Sequence, residues 1–136
     1  MIDTAPLRGI VDTSVFIAHE TGRPLDTQGL PAQVSISVVS LAELEVGVLL
    51  AADVRARARR LATLDSVSDM AVLPIDEQVA RHWALLRAEL ARNGQRINVN
   101  DVWIAATAIA HELPVVTQDT DFDAIAEIGG LSIIRV

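Results

Sequence analysis

GIVDTSVFIA, residues 9–18, carries a short apolar run into an Asp-Thr-Ser step and then resumes an apolar pattern. Residues 9–11 read as a buried strand, and Val15, Phe16, Ile17 and Ala18 as the first turns of a helix. Asp, Thr and Ser are all good helix caps, so Asp12 has a purely structural explanation: it ends the strand and starts the helix. The alternative is that Asp12 belongs to a site, and the rest of the chain decides between the two.

The strand-then-helix unit recurs. Residues 22–31, with two Gly and two Pro, form a loop, and 34–37 alternate apolar and polar like a strand. Residues 39–52 are too densely apolar for a surface helix, which predicts a helix buried on most sides. A polar helix rich in Ala, Leu and Arg follows over 53–65. Residues 71–75 read as a strand, after which Asp76 caps an amphipathic helix that runs to Arg92 and stops at Asn93-Gly94. Beyond a loop containing Asn98 and Asn100, Asp101 opens VWIAATAIA, apolar on all sides and expected as a central buried helix. Residues 114–117 read as a strand, 118–123 as a turn, 124–128 as a short helix and 131–136 as a last strand. This alternation predicts an α/β fold, a Rossmann-like parallel sheet flanked by helices on both faces. With 136 residues and no repeat or linker, one domain over 1–136 is expected. In such sheets ligands bind beyond the carboxyl ends of the strands, where the strand order reverses.

Composition narrows the chemistry. At 51% hydrophobic and 21% charged residues the chain folds and packs. The apolar run at 102–110 falls far short of the ~20 residues of a membrane helix, and the first residues lack a basic segment followed by an apolar one. A soluble, unexported, cytoplasmic protein without a membrane partner is expected. There is no Cys, so any metal must be held by oxygen or imidazole. All 11 basic residues are Arg, and the net charge of −7 with 3% aromatics disfavours nonspecific nucleic-acid binding or a base-stacking platform. A local acidic cluster holding divalent cations escapes that objection.

Four acids stand in suggestive places. Asp12 and Asp119 each follow a strand at the ligand-binding edge. Asp101 opens the most buried helix, where Asn100 is an equally good cap that leaves Asp101 free for other work. Glu43 sits on an otherwise apolar helix, where a carboxylate costs several kcal/mol unless paired or bound to an ion, whereas Glu45 faces elsewhere. Each alone has a bland reading as a cap or turn residue. Converging, they would repel one another and require a cation, and no Lys exists to supply it. The counter-charge expected is a hard divalent ion, Mg²⁺ with Mn²⁺ as the alternative, in a site suited to phosphodiester hydrolysis.

Asp12-Thr13-Ser14, Glu43-Leu44 with Gly47, Asn100-Asp101 leading into Trp103-Ile104-Ala105-Ala106, and Thr117, Asp119, Asp121 and Phe122 within TQDTDF occur in that order over nearly the whole chain. In this the chain resembles PIN domains of the VapC toxin type. The resemblance implies a PIN-like sheet with an acidic pocket, a Mg²⁺-dependent endoribonuclease acting on single-stranded RNA, and neutralisation by a small antitoxin. It makes Asp12, Glu43, Asp101 and Asp119 the catalytic acids, with Asp12 and Asp101 the direct metal ligands. Ser14, Thr117 and Asp121 become supporting or substrate-binding residues. In-line hydrolysis leaving a 5′-phosphate and a 3′-hydroxyl is the reaction implied.

Rival readings are a PIN scaffold that binds RNA without cutting it, and a phospho-receiver or aspartyl-phosphate phosphatase. The last two use a Lys that this chain lacks, and a dinucleotide fold would need a Gly-rich loop after the first strand. His19, His82 and His111 have no ligand spacing, and Trp83 and Trp103 read as core. Arg55, Arg57, Arg59 and Arg60, and Arg81, Arg87, Arg92 and Arg96, read first as solvated faces; the functional reading is that some flank the pocket and hold RNA phosphates. Val46, Val48, Leu49 and Leu50 exceed what one small sheet needs to cover, so a homodimer or antitoxin surface is expected.

Overall fold

The structure, a computed structural model, describes residues 7–136; the sequence reading of the first six residues lies outside them. Five strands, β1 (Arg8–Val11), β2 (Gln33–Ser37), β3 (Ala71–Leu73), β4 (Val115–Thr117) and β5 (Ile133–Arg135), pair in parallel in the order β3-β2-β1-β4-β5. The chain builds outward from β1 to β3 and then returns to lay β4 on the other side of β1. The order therefore reverses between β1 and β4, the crevice where open α/β sheets bind ligands. Gly9 is required at this join, because an added Cβ would lie 2.9 Å from both Pro31 Cγ and Val116 Cγ2.

Six helices connect and cover the strands: α1 (Thr13–Thr21), α2 (Val38–Leu49), α3 (Val54–Ser66), α4 (Glu77–Arg92), α5 (Val99–Ala110) and α6 (Asp123–Gly129). Successive strand residues point to opposite faces, so Ile10 and Val115 join one core while Val11 and Val116 join another. The larger core takes Val79, Leu86 and Leu90 from α4, Val102, Ile104 and Ala105 from α5, and Phe122 and Ile125 near α6. The smaller receives Val15 and Phe16 of α1. Each fully buried Ile or Val contributes about 1.5–3 kcal/mol. The sheet is thus covered on both faces, as the alternation predicts. No helix among the described residues is long and apolar enough to cross a membrane.

Three local expectations need correction. Asn98, not Asn100 or Asp101, caps α5: its side chain accepts the Asn100 N–H at 2.8 Å. The helix therefore starts two residues before Asp101, which becomes a first-turn residue. Secondly, α2 is not buried on most sides; only Ser40 and Val48 are buried, and Leu49 and Leu50 are 72% and 75% exposed. It packs one side on β2, α3 and α5 and leaves the other open. Finally, β3 ends at Leu73, because Pro74 has no N–H to continue the ladder.

Candidate active site

Asp12 sits at the carboxyl end of β1 and caps α1, 2% exposed. Its Oδ2 accepts the Ser14 backbone N–H at 3.4 Å and the Thr117 hydroxyl at 3.1 Å. With the Thr117 proton committed to Asp12, the Ser14 hydroxyl must donate across its 3.1 Å contact with Thr117 Oγ1. Ser14 Oγ then accepts the Gln118 N–H, and Thr117 Oγ1 the Asp119 N–H, both at 3.0 Å. Two buried hydroxyls thereby tie β1 to the end of β4 and fix one carboxylate oxygen of Asp12.

The other acids gather around it from separate elements. Asp101, in the first turn of α5, has its carboxyl pushed up to about 7 by burial first, then by Asp12, Asp121, Glu43 and Asp119. Glu43 on α2 is also raised, chiefly by burial, with the Asn100 side chain opposing that shift and Asp12 adding to it. Its Oε1 is buried without a hydrogen-bond partner; Asn100 therefore relieves the carboxylate only in part. Asp119, after β4, is raised by burial, Asp12 and Asp121, against the lowering effect of Arg23 and Arg135. All four sequence-selected acids thus lie in one electrostatic neighbourhood, and Asp121, though exposed, contributes to it.

This is a cluster short of positive charge. Among the described residues no three His, Asp or Glu side chains form a ready-made metal cage. Repulsion keeps uncompensated carboxylates apart, and a small hard cation needs only one or two direct carboxylates because it retains several waters. The all-oxygen donor set and the orphaned Glu43 Oε1 suit such an ion.

Three recesses flank the acids. One, about 300 Å³, is lined by Arg96, Asn98, Asp101 and Asp121; another, about 640 Å³, by Val39, Glu43, Ile75, Asn100 and Trp103; and a third, about 420 Å³, by Thr13, Glu20, Glu43 and Arg60. A further cavity of about 500 Å³ lies at the opposite strand ends, beside Pro114 and Leu131, far from every clustered acid.

The three histidines line none of the recesses that hold the clustered acids. His19 and His111 are exposed and His82 is half-buried. The Trp83 and Trp103 rings stack at 4.7 Å, with the Arg87 guanidinium 5.9 Å from the Trp83 ring centre. Arg60 donates to the Gly47 carbonyl at 2.6 Å, so it braces α3 against α2. Sequence reasoning passed over Arg23 and Arg135, isolated arginines with no cluster to draw notice. Gln118, which the TQDTDF motif gives little weight, donates from its side chain to the Pro24 and Val136 carbonyls at 2.8 and 3.1 Å.

Comparison with known proteins agrees with the fold. The PIN domain family model matches residues 9–128. The chain is 54% identical to Ribonuclease VapC5 of Mycobacterium tuberculosis, over 99% of this chain and 100% of that one. It is 41% identical to Ribonuclease VapC4 of the same organism, over 93% and 97% of the two chains. A crystal structure of VapBC-5 from M. tuberculosis, a member of the VapBC family of toxin-antitoxin systems, superposes with a TM-score of 0.89 at 53% identity, covering 96% of this chain and 100% of that chain. With acids from four separate segments gathered at the reversal of a five-stranded parallel sheet, and a family model matching nearly its whole length, the chain belongs to the PIN domain family, in its VapC-type branch.

Proposed function

We propose that this chain, as a single domain over residues 1–136, is a divalent-cation-dependent endoribonuclease that hydrolyses single-stranded RNA and is neutralised by a cognate antitoxin. The observation that carries this reading is the unpaired negative charge around Asp12, where Asp101 is pushed up to about 7 and Glu43 keeps a buried, unpartnered oxygen. Asp12 and Asp101 would hold the ion, with Glu43 and Asp119 completing the acidic quartet. Ser14 and Thr117 hold Asp12 in the orientation its task requires, and Asp121 adds charge at the rim. A bound Mg²⁺ or Mn²⁺ ion supplies Lewis-acid stabilisation of the phosphate and the departing oxygen, and lowers the pKa of a ligated water. The carboxylates of Asp119 and Glu43, beside the ion, would take the proton of the attacking water. The water oxygen joins phosphorus as the bond to the 3′ oxygen breaks, leaving a 5′-phosphate and a 3′-hydroxyl.

The likeness to solved VapBC complexes supports an antitoxin partner. The open side of α2, with Val46, Leu49 and Leu50 exposed beside Val54, supports a homodimer as well. The same reading puts the protein in the cytoplasm, beside its RNA. End-labelled single-stranded RNA incubated with the purified chain tests the reaction. Cleavage is expected with Mg²⁺, none with a chelator, and none for Asp12→Asn, which keeps a helix cap but removes the charge. Products ending in 2′,3′-cyclic phosphate, or cutting that survives the chelator, would overturn the reading. Tight RNA binding without cleavage would favour the non-cutting module.

A further inference from the structure

An acidic pocket in a protein of net charge −7 repels the polyanion it is to cut, so some cation must guide the strand. The cations available are all arginines, whose planar fork suits phosphate. Most of those near the pocket are already committed. Arg60 is spent on Gly47, and Arg135 on the Asp119 carbonyl and the Asp123 carboxylate. Arg87 lies over Trp83.

Arg23 and Arg96 differ. Both are exposed and neither has an ion-pair partner among the described residues, a freedom shared with Arg8, Arg55, Arg57, Arg59 and Arg81, so it is their place beside the acids that sets these two apart. Each follows a helix that ends on a left-handed glycine, Gly22 at φ 76° and Gly94 at φ 66°. The turn bearing Arg23 is anchored by its own N–H on Ala18 at 2.8 Å, and the Pro24 carbonyl beyond it is clamped by Gln118 Nε2 at 2.8 Å. Gln118 is also the residue whose N–H reaches Ser14, which ties this turn to the Asp12 hydroxyl network. The positive charge of Arg23 is felt at Asp119 on that side. On the other side, the turn before Arg96 is anchored by the Gln95 N–H on Leu90 at 2.9 Å. Arg96 lines the recess that contains Asp101 and Asp121. Arg23, felt at Asp119, and Arg96, beside Asp101 and Asp121, thus stand on opposite flanks of one acidic cluster, each on a braced turn.

We infer that Arg23 and Arg96 hold the RNA phosphates on either side of the scissile one, setting the path of the strand across Asp119, Asp121 and Asp101. The α3 arginines Arg55, Arg57 and Arg59 line none of the recesses that hold Glu43, Asp101 or Asp121. This rests on the ribonuclease reading for its substrate, but it is tested by binding rather than cutting.

A fluorescent single-stranded RNA oligonucleotide titrated against the cleavage-blocked Asp101→Asn chain, over a series of salt concentrations, gives the measurement. Arg23→Ala and Arg96→Ala, each added to that background, are expected to weaken binding about tenfold. Each is expected to shallow the logarithmic salt slope by about 0.7, the value for one single-strand phosphate contact. Lysine at either position should restore the slope and part of the affinity, which a merely structural arginine would not require. The triple Arg55→Ala, Arg57→Ala, Arg59→Ala variant removes more charge but should change the slope less than either single variant. Unchanged affinity and slope in Arg23→Ala or in Arg96→Ala would overturn the two-sided path, as would a triple variant that accounts for most of the slope. A parent chain that binds RNA through both arginines yet cuts none would leave the two phosphate contacts standing and overturn the ribonuclease reading, and with it the placing of a cut between them.

Discussion

Replacing Asp101 by Asn sets the stability of the protein against its chemistry. In the cation-free chain the Asp101 carboxyl is pushed from 3.8 up to about 7 by burial and by Asp12, Asp121, Glu43 and Asp119. A carboxyl raised in the folded state makes folding favour the protonated form. The folded and unfolded chains are equally protonated below pH ~4; stability is then lost as pH rises through 7, and the loss is complete above it. Taken whole, the displacement amounts to about 4 kcal/mol. Because the group is only half-buried and solvent screens part of the repulsion, about 1–2 kcal/mol is expected at pH 8. For a chain of this length that is a fall in Tm of roughly 5 °C. Asp101→Asn removes the charge and keeps the shape. In chelator, the parent should therefore melt lower at pH 8 than at pH 5, and the variant should change less and outlast the parent at pH 8. Added Mg²⁺ should then raise the parent's Tm at pH 8 by more than the variant's, since the variant keeps Asp12 but has lost the second proposed ligand. The variant should be inactive. A variant that is less stable than the parent at pH 8 in chelator would refute the argument that repulsion and burial dominate at Asp101.

Two further outcomes follow from named contacts. Thr117→Val keeps the volume but deletes the hydroxyl that donates to Asp12 and receives Ser14 and the Asp119 N–H. It should cost about 1–3 kcal/mol in urea denaturation and lower cleavage at saturating substrate, while Thr117→Ser keeps both; full activity in the valine variant would show that Asp12 needs no such brace. The double variant Leu49→Glu, Leu50→Glu should turn a dimer into a monomer in sedimentation and make Tm independent of protein concentration, with the fold of the single chain kept because both side chains are already exposed in it. A parent that sediments as a monomer at high concentration would remove the homodimer from the reading.

The sequence alone determined the order of strands and helices, because hydrophobic period and cap chemistry are short-range properties. Asp76 caps α4 through the Val79 N–H at 2.9 Å, as its place before an amphipathic run predicts. The same short-range logic set Asp12 and Asp119 after strands and left Glu43 as an acid without an apolar excuse. Tertiary structure decided what those residues meet. Asp12 and Thr117 are 105 positions apart and touch because β4 returns to lie beside β1. No local pattern encodes that choice of neighbour. It also decided that α2 is open on one side, since density of apolar residues says how much surface seeks cover but not whether this chain provides it. The choice among Asn98, Asn100 and Asp101 as cap was likewise settled by packing, since all three have the chemistry and only the start of α5 selects one. Arg23 and Arg96 show the same limit: Arg23 has no prominence among its sequence neighbours and Arg96 is one of eight clustered arginines, and the two acquire a common role only when the fold sets them on opposite flanks of one concentration of negative charge.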